Sequence, residues 1–198
     1  LERELGIRNA IKLASNENPV GPSPKVLQSI DAILKETHRY PDGNATRLKE
    51  SIARKFNTSP SQVTIGNGSN DIIEFIARSF LSSDDSAIYS EHAFAVYPLV
   101  VKAVGAKGIE VPAKNFSHDL QAMLQAIEKN TKLIFIANPN NPTGSVAGSG
   151  DLKRLISILE KWPKCILIAD EIYDGLDFSE RQVSAASLSN TVPVLAMN

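Results

Sequence analysis

The sequence predicts an α/β fold, a mostly parallel sheet with helices on both faces, and three observations carry that expectation. Stripes of apolar residues at helical spacing alternate with short apolar runs along the chain. The runs are continuous, lacking the in-and-out alternation of a sheet with one wet face, as strands covered on both sides require. Turn residues gather where the runs end.

Taken in order, Leu1 to Leu5 is charged and helix-like. Asn16-Glu17-Asn18-Pro19 and Gly21-Pro22-Ser23-Pro24 read as a rigid, extended lead-in. Val26, Leu27, Ile30, Ile33 and Leu34 then form a helical stripe, Tyr40-Pro41-Asp42-Gly43 is a turn signal, and Thr46 to Phe56 is a further helix. Beyond it, stripes at Ile72/Ile73/Ile76/Phe80, Leu120/Met123/Leu124/Ile127 and Leu152/Leu155/Ile156/Leu159 each predict a helix with one wet and one buried face. A more apolar helix spans Phe94 to Val104, with Pro98 near its first turn, where proline is tolerated. The strands are expected at 87–89, 109–111, 133–137, 166–169 and 194–197. The α/β domain runs from residue 58 to 198, and residues 1–57 form an arm with two helices attached to it.

Composition narrows the function classes. The 198 residues carry 21 basic and 22 acidic side chains, so no long-range field gathers nucleic acid or an anionic membrane, and a local small-molecule site is favoured. No apolar stretch approaches the roughly 20 residues that cross a bilayer. The N-terminus lacks the features of a signal peptide, so a cytoplasmic setting is expected. Cys165, opening an apolar run, reads as a buried, inert thiol. His38, His92 and His118 have no metal-ligand spacing, and no metal is expected.

Ligands of open parallel sheets bind outside the carboxyl ends of the strands, so the residues just past each apolar run are the informative ones. The run 133–137 leads into Asn138-Pro139-Asn140-Asn141-Pro142-Thr143-Gly144, whose prolines and glycine end the strand and present amides at the edge. The run 166–169 leads into Asp170-Glu171-Ile172-Tyr173. Asp170 has three readings: magnesium ligand of a nucleotide-binding enzyme, partner of a nearby arginine, or partner of a ligand cation. The first lacks the G-x-x-x-x-G-K-[ST] loop that would cradle phosphates. Gly66-Asn67-Gly68-Ser69-Asn70-Asp71 opens a helix, where free N–H groups of Ser69, Asn70 and Asp71 make an anion cup; Ser69 or Asn70 would otherwise be a simple helix cap. Phe94, just past a strand, is placed to cover a flat ring or to pack in the core. Pyridoxal phosphate would use all four features at once.

These segments, with Leu13-Ala14-Ser15-Asn16-Glu17-Asn18-Pro19, Arg39-Tyr40-Pro41-Asp42-Gly43 and His92-Ala93-Phe94-Ala95-Val96-Tyr97-Pro98, resemble the fold-type I pyridoxal-phosphate-dependent aminotransferases and, within them, the histidinol-phosphate aminotransferase branch. The resemblance implies an aspartate-aminotransferase-like large domain over residues 58–198 and part of a smaller domain before it. It also implies a cytoplasmic homodimer that transfers amino groups between histidinol phosphate and 2-oxoglutarate in histidine biosynthesis. Its site residues would be Ser69, Asn70 and Asp71 at the cofactor phosphate, Phe94 on the ring, Asn141 and Tyr173 at the phenolic oxygen, and Asp170 at the ring nitrogen. Tyr40 would reach the neighbouring subunit's cofactor phosphate. The family's Schiff-base lysine comes after the strand that here reaches Met197-Asn198, so no catalytic lysine is expected within these residues. A non-catalytic module that binds the cofactor or a partner, and a nucleotide-binding α/β enzyme, remain the alternatives.

Overall fold

The structure is a computed structural model, and it describes residues 2–11, 15–176 and 183–198; Leu13 and Ala14 of the first expected motif lie outside the described residues. The chain divides into two compact units, Leu1–Ser51 and Ile52–Asn198.

The first unit holds α1 (Glu2–Leu5), α2 (Pro24–Ile33) with a short 3₁₀ turn Leu34–Glu36, and the start of α3 (Thr46–Phe56). Ser23 caps α2 by accepting the Lys25 amide at 3.3 Å, and Pro24 takes the first helical position, where its missing N–H is not needed. The stripe on α2 forms the expected helix but not the expected buried face. Val26, Leu27, Ile30, Ile33 and Leu34 are all exposed, between 45% and 61%. Periodicity records which face of a helix prefers burial, and among the described residues nothing buries this one.

The second unit supplies the sheet. Its elements are α4 (Ser69–Phe80), β1 (Ser86–Ser90), α5 (Val96–Ala103), β2 (Lys107–Val111), α6 (Leu120–Gln125), β3 (Thr131–Ala137), α7 (Ser149–Leu159), β4 (Ile166–Asp170) and β5 (Val194–Met197). The five strands are all parallel, in the order β2-β1-β3-β4-β5. Every expected strand and helix of this region is present. Pro98 sits third in α5, within the first turn whose amides have no helical partner.

The two faces of the sheet carry separate cores. Ala87, Tyr89, Leu133, Phe135 and Ile168 pack with α4 and α5 through Ile73, Ala77, Tyr97 and Val101. Their chain neighbours Ile88, Ile134, Ile136, Leu167 and Ala169 pack with α6 and α7 through Met123, Leu155, Ile156 and Leu159. This double cover explains the unbroken apolar runs of β1, β3 and β4. At the β2 edge the strand is largely exposed. There Gly108 faces Tyr89 so closely that a Cβ would stand 2.3 Å from the tyrosine oxygen, and any larger residue would have to displace the Tyr89 ring.

Strand order positions the site. From β1 the chain passes outward to β2, whereas from β3 it passes the other way to β4. The loops after β1 and β3 therefore diverge and open a crevice at the carboxyl edge. Among the described residues no helix is long and apolar enough to cross a membrane.

Phe135 is fully buried and stacks on Tyr97 with ring centroids 4.7 Å apart. Phe135→Ala is expected to cost about 3–5 kcal/mol in urea unfolding. Leu27→Ala, on the exposed stripe of α2, should move stability by less than about 0.5 kcal/mol. Equal costs would contradict this division between core and surface.

Candidate active site

Asp170 ends β4, and its carboxylate is buried, with 4% of the residue exposed. Strand alternation turns it to the same face as Ile168, where the hydroxyl of fully buried Tyr97 donates to Oδ2 at 2.5 Å. Oδ1 accepts the Ile172 amide at a long 3.4 Å. No basic side chain among the described residues pairs with this carboxylate. Burial pushes the Asp170 pKa above its ordinary value, opposed by the Tyr97 hydrogen bond. The Tyr97 phenol is pushed up too, by burial first and then by Asp170, with Tyr173 contributing.

Tyr97 gathers three of the expected site residues. Phe94 meets it edge to face at 5.9 Å, Asp170 accepts its proton, and half-buried Tyr173 lies near enough to act on its ionisation. Sequence reasoning places Tyr97 within a motif and gives it no role. Its signal there, a tyrosine three residues after Phe94 on a helix start, is also what a core aromatic would show.

The start of α4 fits an anion cup. Gly68 caps the helix at φ +78°, a left-handed conformation open to glycine, and no described side chain caps the first-turn amides. Ser69 and Asn70 are therefore first-turn residues, not caps, which corrects the capping alternative. Asp71 accepts the Asn67 amide at 2.9 Å and so braces the loop with its side chain while its N–H stays in the first turn. Gly66 is sterically required, since a Cβ would fall 2.9 Å from Asp71 Cβ and from Ile72 Cδ1. Because α4 packs beside β1 and enters it through a short turn, its N-terminus lies at the carboxyl edge with the other loops.

In the loop after β3, Asn138 is tied to Ala147 by two hydrogen bonds, and Asn140 is buried with its Oδ1 unpartnered; half-buried Asn141 comes next. After β4, buried Glu171 accepts the Ala185 amide at 2.7 Å, closing the excursion that carries Tyr173. Its pKa is raised by burial, partly offset by hydrogen bonds from Ser184 and Ala185. Tyr40 is fully exposed and belongs to the first unit.

Comparison with known proteins points the same way. The family model for aminotransferase class I and II matches residues 8–198. "Histidinol-phosphate aminotransferase 1" of Mannheimia succiniciproducens is 50% identical over all of this chain and 54% of its own length. "Histidinol-phosphate aminotransferase 2" of Pasteurella multocida is 46% identical over 95% of this chain and 51% of its own length. The chain thus spans about half the length of the curated relatives it matches. Among solved structures, histidinol-phosphate aminotransferase from Sinorhizobium meliloti in complex with pyridoxal-5'-phosphate superposes with TM-score 0.89 and 27% identity, over 98% of this chain and 53% of that one. A Thermus thermophilus aspartate aminotransferase mutant, 22% identical with TM-score 0.88 over 98% of this chain and 53% of its own, shares the fold.

Two outcomes are expected of the buried carboxylate. Raised above 3.8, Asp170 keeps its proton in the folded chain where the unfolded chain has released it, so stability falls as pH rises from 3.8 through the raised value. Asp170→Asn should therefore melt higher than wild type above that interval, with the difference closing below 3.8. Melts across pH check it, and a gap that does not depend on pH would refute the assignment. Tyr97→Phe should shift the Asp170 pKa further up, read by carboxyl-carbon NMR, and cost about 1.5–3 kcal/mol.

Proposed function

Because the chain belongs to the class I and II aminotransferases, we propose that residues 58–198 form part of the cofactor-binding large domain of a pyridoxal-phosphate-dependent aminotransferase. Residues 1–57 are its N-terminal arm and part of its small domain. The observation that carries this reading is Asp170, a buried carboxylate at a strand end with a tyrosine donor and no described basic partner. Such a group is costly unless it meets a cation, and the protonated nitrogen of a pyridine ring is one that fits. Pyridoxal phosphate, when bound, supplies an electron sink for the pair released as a substrate C–H bond breaks.

The residues then take these parts. Asp170 holds the ring-nitrogen proton, and Tyr97 orients the carboxylate. Phe94 covers the ring face and excludes water from it. Ser69, Asn70 and the Asp71 amide receive the phosphate at the open start of α4, where N–H groups and the helix dipole favour an anion. Asn141 and Tyr173 donate toward the phenolic oxygen. No Schiff-base lysine is assigned within these 198 residues. The substrates are histidinol phosphate and 2-oxoglutarate, in histidine biosynthesis, a choice supported by 50% identity to a relative of that name. The enzyme is a cytoplasmic homodimer in which exposed Tyr40 reaches the neighbouring subunit's cofactor phosphate.

Pyridoxamine phosphate tests the site, since it binds without condensing with a lysine. It should raise the melting temperature of the chain, and pyridoxamine without the phosphate should do so far less. Asp170→Asn should weaken binding about 10- to 100-fold, as expected for one hydrogen bond to a charged group. No shift with pyridoxamine phosphate, or a shift with magnesium nucleotide instead, would overturn the reading.

A further inference from the structure

Resting on that reading, we propose that Asn140 is a positioning residue that ties together the loops following β1, β2 and β3 and so fixes Phe94 and Asn141 relative to one another. Asn140 is 3% exposed. Its Nδ2 donates to the main-chain carbonyl of His92 at 2.9 Å and to Thr143 Oγ1 at 2.8 Å. Both neighbours of the nitrogen are oxygens, which settles the orientation of the amide, because turned over it would set Oδ1 against the His92 carbonyl.

The contacts continue into a closed circuit. Thr143 Oγ1 lies 3.0 Å from Ser145 Oγ, and Ser145 Oγ donates to the Phe116 carbonyl at 3.2 Å. Since the serine proton is spent on Phe116, the threonine hydroxyl donates to the serine and accepts from Asn140. The Phe116 ring then stacks on the His92 imidazole, 5.6 Å between centroids and 20° from parallel. His92 thus both begins and ends the circuit, which passes through the loops after β1, β2 and β3.

The placement gives the circuit its consequence. β1 and β3 are the pair between which the strand order reverses, and their ladder ends at the pair Ile88 and Ile134, so it does not join the loops that follow. His92 stands two residues before Phe94, and Asn140 stands directly before Asn141. The Asn140 amide therefore crosses the mouth of the crevice, linking the side of the ring stacker to the side of the phenolic-oxygen donor. A role confined to the local turn would need only the bond to Thr143, whereas the bond to His92 spans 48 residues of chain.

Asn140→Asp, nearly isosteric, removes both donations and sets an oxygen against the His92 carbonyl. In the unliganded chain, amide hydrogen exchange of residues 91–95 and 114–118 should quicken at least about tenfold while β1 and β3 stay protected. Pyridoxamine phosphate should bind about tenfold more weakly. At saturation its induced circular dichroism should differ from wild type, a change that lost stability alone would not produce. Ser145→Ala, a milder cut, should quicken exchange at 114–118 and decides the matter if Asn140→Asp does not fold. Faster exchange confined to 138–147 in both variants, or a wild-type dichroism signal in Asn140→Asp, would overturn the proposal. Failure of wild type to bind pyridoxamine phosphate would instead overturn the cofactor reading and leave the exchange result to judge Asn140.

Discussion

A carboxylate buried at the end of a strand is the constraint around which this molecule is organised. Asp170 is held in an apolar layer against Tyr97, and taking such a group out of water is unfavourable unless it is hydrogen-bonded and meets a cation. Tyr97 is itself fixed by its stack on Phe135, so the geometry of the acid derives from the packing between α5 and the sheet. The core on that face thus does two jobs. It stabilises the fold and it sets the direction of one proton-accepting oxygen.

The parallel sheet adds the rest by topology. All strands point one way, so all their carboxyl ends, and the start of α4, meet at one edge. The order reverses between β1 and β3, which keeps the loops there from covering the edge. Side chains must then supply the connections that the strand ladder does not. Asn138 closes its own loop on Ala147, Glu171 draws the chain at Ala185 back to the end of β4, and Asn140 bridges to His92. Each is a buried polar side chain that hydrogen-bonds to backbone from another part of the chain.

Much of this was legible in the chain. The strands were, because double burial demands apolar residues at consecutive positions, and 133–137 and 166–169 are such runs. The places where the strands end were as well, because prolines and glycines punctuate a chain where a strand stops. Two features were not. The stripe on α2 has helical spacing and yet lies exposed, since periodicity records that a face prefers burial and says nothing of what covers it. Tyr97 and Asn140 act through partners 73 and 48 residues away, separations that no local pattern reports.

The sequence by itself determined the class of fold, the order of its elements and which short segments stand at the carboxyl edge, because periodicity and turn chemistry are local properties of neighbouring residues. Only the tertiary structure decided that Tyr97 is the partner of Asp170, that Gly68 leaves the start of α4 without a side-chain cap, and that Asn140 joins loops from different strands. Those are outcomes of packing. They depend on which side chains a particular strand order brings within about 3 Å of one another, the range of a hydrogen bond.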